Sequence, residues 1–187
     1  MKILALLLGS LLTATALAQQ APAKPPTSGA TTEAAKTASD AKPDDVKSID
    51  AIINSIYAVI SGPAGPRDWD RFRSLFIPEA HLIFSGKDKD GKLIHRAMSP
   101  TAYQERAGGF FLKEGFFESS VANRIDQFGT VAQVFSTYES RHENGAQPFA
   151  RGINSIQLLN DGTRWWVVSI LWDSERPDNP IPEQYLK

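Results

Sequence analysis

An α+β fold, with a curved antiparallel sheet wrapped around three helices from the N-terminal half, is predicted by three observations. Ile49, Ile52, Ile53, Ile56 and Ile60 recur at helical spacing. From Phe116 onward the apolar pattern changes to a period of two. Two β-rich runs, 149–159 and 164–172, flank Asn160-Asp161-Gly162, and such an Asx-Gly junction is a strong short-range hairpin signal. Helices gathered ahead of a long meander of strands place the chain among α+β folds.

Pro43-Asp44-Asp45 opens the first helix, which carries the isoleucines, and Gly62-Pro63 ends it. Asp68 caps a short second helix that sets Trp69, Phe72 and Phe76 on one face. Residues 80–85 and 92–97 read as strands on either side of Asp90-Gly91, a first hairpin. Ser99-Pro100 starts the third helix, with Ser as N-cap and Pro at the first helical position. Met98 and Tyr103 are spaced for a hydrophobic staple, Gly108-Gly109 weakens the helix, and Gly115 stops it. Strands follow at 116–128, 130–142, 149–160 and 164–174, turning at Phe128-Gly129, Glu143-Asn144-Gly145 and Asn160-Asp161-Gly162.

The last strand is apolar on both faces: Trp166, Val168, Ile170 and Trp172 alternate with Trp165, Val167, Ser169 and Leu171. Helices cover only one face of a sheet. Either a bulge or curl buries both sets within one chain, or a second copy covers the outer face. The preferred expectation is a homodimer packed sheet on sheet.

Composition bounds the rest. Met1 to Ala18 has one lysine, an apolar run from Ile3 to Leu12, and Ala16-Leu17-Ala18, the plan of a secretory signal peptide cleaved after Ala18. That run falls short of the ~20 residues needed to span a bilayer, so the expected product is exported (secreted or periplasmic) and free of the membrane after cleavage. Residues 19–43 contain no Leu, Ile, Val, Phe, Tyr, Trp or Met and read as a disordered Ala/Thr/Pro-rich linker. Residues 44–187 form the one folded domain. Without cysteine there is neither a disulfide nor thiolate chemistry. A formal net charge of −1 offers no basic balance for a nucleic-acid partner. No cofactor motif is present. No metal site is expected either, because His81, His95 and His142 lack paired ligand spacing. Asp88-Lys89-Asp90-Gly91 faintly resembles a calcium loop, but Gly86 and Ala97 stand at its first and last ligand positions, so a hairpin turn explains it better.

The order of elements, Ile52-Ile53-Asn54-Ser55-Ile56-Tyr57, Asp68 through Phe76, Pro78-Glu79-Ala80, and Asp161-Gly162-Thr163-Arg164-Trp165-Trp166-Val167-Val168 together resemble the nuclear transport factor 2-like superfamily, in particular its polyketide-cyclase-like (SnoaL-like) members. These motifs place core and turn residues, so they speak for a fold more than for an activity. The resemblance implies a cone-shaped sheet with an apolar pocket between sheet and helices. Tyr57, Trp69, Phe72, Tyr103, Phe110 and Phe111 are the natural wall, by helical spacing. His95 and Tyr138 are further ligand contacts, among strand polar groups that also include His81, Glu139, Arg141, Arg151 and Asp173. Arg141 and Arg151 flank Asn144-Gly145 and could clamp an acidic ligand; a cross-strand pair with Glu139 or Glu143 is the favoured reading.

The expected function is binding of a small, largely apolar molecule. The alternatives are a lyase or isomerase working by acid–base chemistry, and a structural or partner-binding module with a filled cone. The steroid-isomerase-like branch has a tyrosine on its first helix and an aspartate on its first strand. Tyr57 matches the former, whereas Ala80-His81-Leu82-Ile83-Phe84 lacks the latter. The catalytic candidates are therefore His81, Asp173 and Tyr57, with Asp126 a further acid.

Overall fold

A computed structural model describes residues 41–187, so the expected signal peptide and residues 19–40 of the expected linker lie outside the described residues. Ala41 already packs against the core. The helices are α1 (Pro43–Val46), α2 (Ile49–Ile60), α3 (Trp69–Ser74) and α4 (Pro100–Phe111). The strands are β1 (Phe76–Lys87), β2 (Leu93–Met98), β3 (Phe117–Phe128), β4 (Val131–Arg141), β5 (Ala150–Asn160) and β6 (Trp165–Ser174), and a 3-10 turn (Glu183–Tyr185) lies near the C-terminus. The fold is α+β, as expected from the segregation of periods.

The expected caps form. Asp68 accepts from the backbone N–H of Arg71 at 2.9 Å, and Ser99 from that of Ala102 at 3.1 Å. The first helix differs. Pro43 starts only a single turn, and the long helix begins after Ser48, whose Oγ accepts from the N–H of Ala51 at 3.1 Å. Phe76 begins β1 rather than extending α3. Asp45 explains why the separate first turn stays docked. It is buried and accepts Arg71 Nε at 2.7 Å, Arg71 Nη2 at 2.8 Å and Ser55 Oγ at 3.0 Å, tying α1 to α2 and α3.

All six strands lie in one sheet ordered β2-β1-β6-β5-β4-β3. The expectation of a wholly antiparallel sheet needs one correction: β1 runs parallel to β6, with Leu82 opposite Ile170. The meander β3–β6 leaves β6 with a free edge, and the β1–β2 hairpin docks there through β1, whose Ala80 and Leu82 are buried. Ile52, Ile53, Ile56 and Phe72 from the helices meet Val134, Ile156, Leu158 and Val167 from the sheet in a single core. On the outer face the C-terminal turn folds back over β4: Tyr185 stacks on Phe135 at 5.3 Å, and its carbonyl accepts from the Thr137 hydroxyl.

Two bulges set which residues point inward. On β3, pairing shifts between Ser120 and Ala122, leaving Val121 as the extra residue. On β6, it shifts opposite Gln157 and Leu158, leaving Val168 as the extra residue. An extra residue inverts the side-chain alternation beyond it. Trp165 and Val167 therefore face the core before the bulge, and Ile170 and Trp172 after it. The bulge exchanges the two faces partway along β6, so that Trp165, Val167, Ile170 and Trp172 lie on the core side and Trp166, Val168, Ser169 and Leu171 on the outer side.

Candidate functional site

A cavity of about 240 Å³ lies between the helices and the inner face of the sheet. Ile56 and Ile60 of α2, Phe72 of α3, Leu82 of β1, Tyr103 of α4, and Ile170 and Trp172 of β6 supply an apolar and aromatic wall. Phe116 and Phe149 line it as well, and Phe149 is 50% exposed, which marks the mouth. The polar lining comes from Glu118, Tyr138, Ser140 and Asn154.

Glu118 is held from three directions. Ser61, just past α2, receives the Glu118 N–H at 2.9 Å and donates to the Glu118 carbonyl at 3.1 Å. Gly62 and Phe116 exchange backbone hydrogen bonds at 2.7 and 3.0 Å, stitching the end of α2 to the start of β3. Across the strand pair, Ser140 Oγ donates to Glu118 Oε2 at 2.7 Å. Glu118 is only partly buried by area, and the residue lines both this cavity and a second, more polar cleft with Ser61, Ser119 and Arg141. Burial pushes its carboxyl up to about 7, against the lowering effect of the Ser140 hydrogen bond. Among the described residues no cation pairs with it.

Three tyrosines surround this acid, and its charge raises the pKa of each in addition to the larger effect of burial. Tyr57 is buried behind the wall, sharing a hydrogen bond with Ser136 Oγ at 2.6 Å and accepting Asn154 Nδ2 at 3.1 Å. Tyr138 is pushed up to about 12, and its hydroxyl meets Ser174 Oγ at 3.2 Å. Gly152 allows that pose: a Cβ there would sit 2.5 Å from the Tyr138 hydroxyl. Tyr103 stacks on Phe72 at 5.5 Å, and its hydroxyl has no hydrogen bond among the described residues. The arrangement offers an acid that changes protonation near neutrality, two phenols and an amide, all at the edge of an apolar space.

Of the residues singled out from sequence, Phe72, Tyr103 and Tyr138 come together on the wall. Tyr57 stands one layer behind, through Asn154. Trp69 packs edge-on against Phe72 and Tyr103 and lines a separate cleft with Arg67 and Phe111. Phe110 is exposed and outside the lining, with its ring against Phe111 and Phe116. His81 and His95 are exposed and outside the lining, since His81 lies opposite Ser169 and out of phase with the inward-facing Leu82. Asp173 also lies outside the lining; it pairs with Arg176 and takes Arg176 Nη2 at 3.1 Å. Asp126 is exposed near Arg124. Glu139, the clamp candidates Arg141 and Arg151, and Glu175 form an ion-pair chain.

Glu118, Ser140, Asn154 and Trp172 were missed by sequence reasoning. The signal for Glu118 was the run Phe116-x-Glu118 at the start of a strand. Its meaning depends on the bulge: continuing the pairing of the Phe128–Val131 turn without a shift would set Glu118 opposite Arg141, pointing outward. The same construction on β6 would set Asp173 opposite the inward-facing Gly152. The two bulges thus bring Glu118 in and leave Asp173 out.

Among the described residues, no group of three or more His, Asp or Glu is placed to share a metal ion, and no helix is long and apolar enough to cross a membrane. No family model matches the chain, and no curated protein does. Solved structures do match. One is a protein of unknown function from Mycobacterium tuberculosis, at 15% identity over 72% of this chain and 75% of that one, with a TM-score of 0.52. Another, from Nostoc punctiforme, has a cystatin-like fold, at 9% identity over 70% and 95%, with a TM-score of 0.51. A third is a nuclear transport factor 2-like protein of unknown function from Silicibacter pomeroyi, at 14% identity over 69% and 94%, with a TM-score of 0.45. From its topology and the first two of these likenesses, the chain has an α+β fold of the cystatin-like kind, a sheet with its helices packed on one face.

Proposed function

We propose that the domain binds a small, largely apolar molecule in the cavity, with the molecule's polar group set against Glu118. The observation that carries this reading is a carboxyl without a cationic partner among the described residues, lining an aromatic cavity that opens beside Phe149. An acid kept in an apolar site costs stability, and such groups gather where function needs them. Pockets of this kind, an apolar wall with few polar groups, are the usual form of small-molecule sites.

A second reading, acid–base catalysis of the lyase or isomerase type, is favoured by one specific feature. A carboxyl that titrates near 7 can both take and return a proton at working pH. The unpaired Tyr103 hydroxyl could steady a developing charge on the substrate. Export directed by Met1–Ala18 belongs to the proposal, so that the ligand would be met outside the cytoplasm. A homodimer would use the outer face, where Phe128, Val131 and Leu171 are exposed.

The test is mass spectrometry of molecules released from the purified mature protein, with Ala150→Phe as comparison, because Ala150 lines the cavity and a larger side chain fills it. A retained apolar molecule that disappears in the variant supports binding in the cavity. Equal retention by a folded variant places binding elsewhere.

A further inference from the structure

The cavity contains an acid and no base. Its lining includes Glu118 but no Lys, Arg or His. The same lining carries the rings of Phe72, Tyr103, Phe116, Tyr138, Phe149 and Trp172. Ser140 donates to Oε2 of Glu118, and Oε1 has no hydrogen-bond partner among the described residues. Each feature selects for charge in the same sense. Aromatic faces attract cations through their quadrupoles, more strongly where water is excluded. A carboxylate in a poorly hydrated site gains most from a cation that pairs with it directly. A ligand carboxylate would meet repulsion, and a neutral carbonyl or ether offers no donor to Oε1.

We propose that the polar group of the ligand is a protonated amine, seated between the Glu118 carboxylate and the aromatic wall, with its apolar body against Ile56, Ile60, Leu82 and Ile170. This rests on the reading of the cavity as the ligand site and names the chemical class it takes. Pairing requires Glu118 ionised and the amine protonated. Below the point where free Glu118 titrates, binding an ammonium therefore releases one proton from the carboxyl to solvent, and affinity rises with pH. Above the pKa of the amine, ~10 for an alkylamine as for lysine, it falls again.

The experiment uses the mature chain and calorimetry, with n-alkylamines from butylamine to decylamine and 2-phenylethylamine, each beside its matched alcohol and carboxylate. At pH 7.5 the best amine is expected to bind at least about tenfold tighter than its alcohol, with no binding of the carboxylate. Its affinity is expected to drop by about tenfold on going to pH 5.5. Glu118→Gln, checked for folding by circular dichroism, should bring amine and alcohol to within about threefold of each other. An alcohol that binds the wild type as tightly as its amine overturns the amine assignment and leaves the cavity as a binding site. So does a preference for amines that survives in Glu118→Gln. If no probe of any class binds, both the amine assignment and the cavity reading fall.

Discussion

Ser140 stands directly opposite Glu118 in the β3–β4 pair and gives its hydroxyl hydrogen to Glu118 Oε2 at 2.7 Å. A hydrogen bond donated to a carboxylate favours the ionised form, so it works against burial at this position. Ser140→Ala should therefore raise the Glu118 midpoint above its wild-type value, by ~1 unit. Carboxyl-detected NMR on the variant reads this. A midpoint that falls, or does not move, would show that the serine is not tuning the acid.

The same acid makes stability depend on pH. The native state holds this proton more tightly than the unfolded chain, because its pKa is raised from 4.5 to about 7. Its contribution to stability is intact below the ordinary value, declines as pH rises between the two, and is level above the folded pKa. Glu118→Gln removes that decline. Relative to wild type the variant should gain on the order of 2 kcal/mol between pH 4.5 and 8. Urea denaturation at both pH values measures the difference, and parallel pH profiles would contradict it.

Asp45 acts in the opposite sense. The hydrogen bond from Arg71 holds its carboxyl below the usual range, with Ser55 assisting. Its stabilisation is present above the unfolded pKa and is lost as pH falls through the folded one. Removing one partner of a buried pair costs ~3–5 kcal/mol, and less where a partner keeps some solvent, as Arg71 does. Asp45→Ala should lose about 2–3 kcal/mol at pH 7 in chemical denaturation. A loss under 0.5 kcal/mol would mean that the pair is not holding α1 to α3.

Gly152 lies opposite Tyr138, and a methyl group there would meet both the Tyr138 hydroxyl and the Asp173 carbonyl, at 2.5 and 2.3 Å. Gly152→Ala should destabilise the domain by ~1–3 kcal/mol, the usual range for overpacking, and should move the Tyr138 ring resonances. Thermal unfolding and aromatic NMR test both effects. An unchanged melting temperature with unmoved Tyr138 signals would contradict the close fit.

The architecture was legible in the sequence because the patterns that encode it are local. The isoleucines of α2, the Asp68 and Ser99 caps and the Asn160-Asp161-Gly162 turn act within a few residues. The turn forms as expected: Gly162 has φ +96°, and Asp161 accepts the N–H groups of Thr163 and Arg164 at 2.8 and 3.0 Å. The parallel β1–β6 pair was not legible, since it joins strands far apart in the chain. The wall residues Phe72 and Tyr103 could be found because helical spacing fixes their face. Glu118 could not, because Val121 reverses the inside and outside of β3 without a glycine or proline to mark the bulge. Val168 does the same on β6, which is why Asp173 was a reasonable candidate and yet lies outside the cavity.

The most direct test is a carboxyl-detected NMR titration of Glu118 in the mature wild-type protein, assigned with Glu118→Gln. A side chain turned inward by the β3 bulge and lining the apolar cavity should titrate near pH 7. A midpoint at the ordinary 4.5 would mean that the carboxyl is bathed in water, and the proposed site would have no acid at its centre.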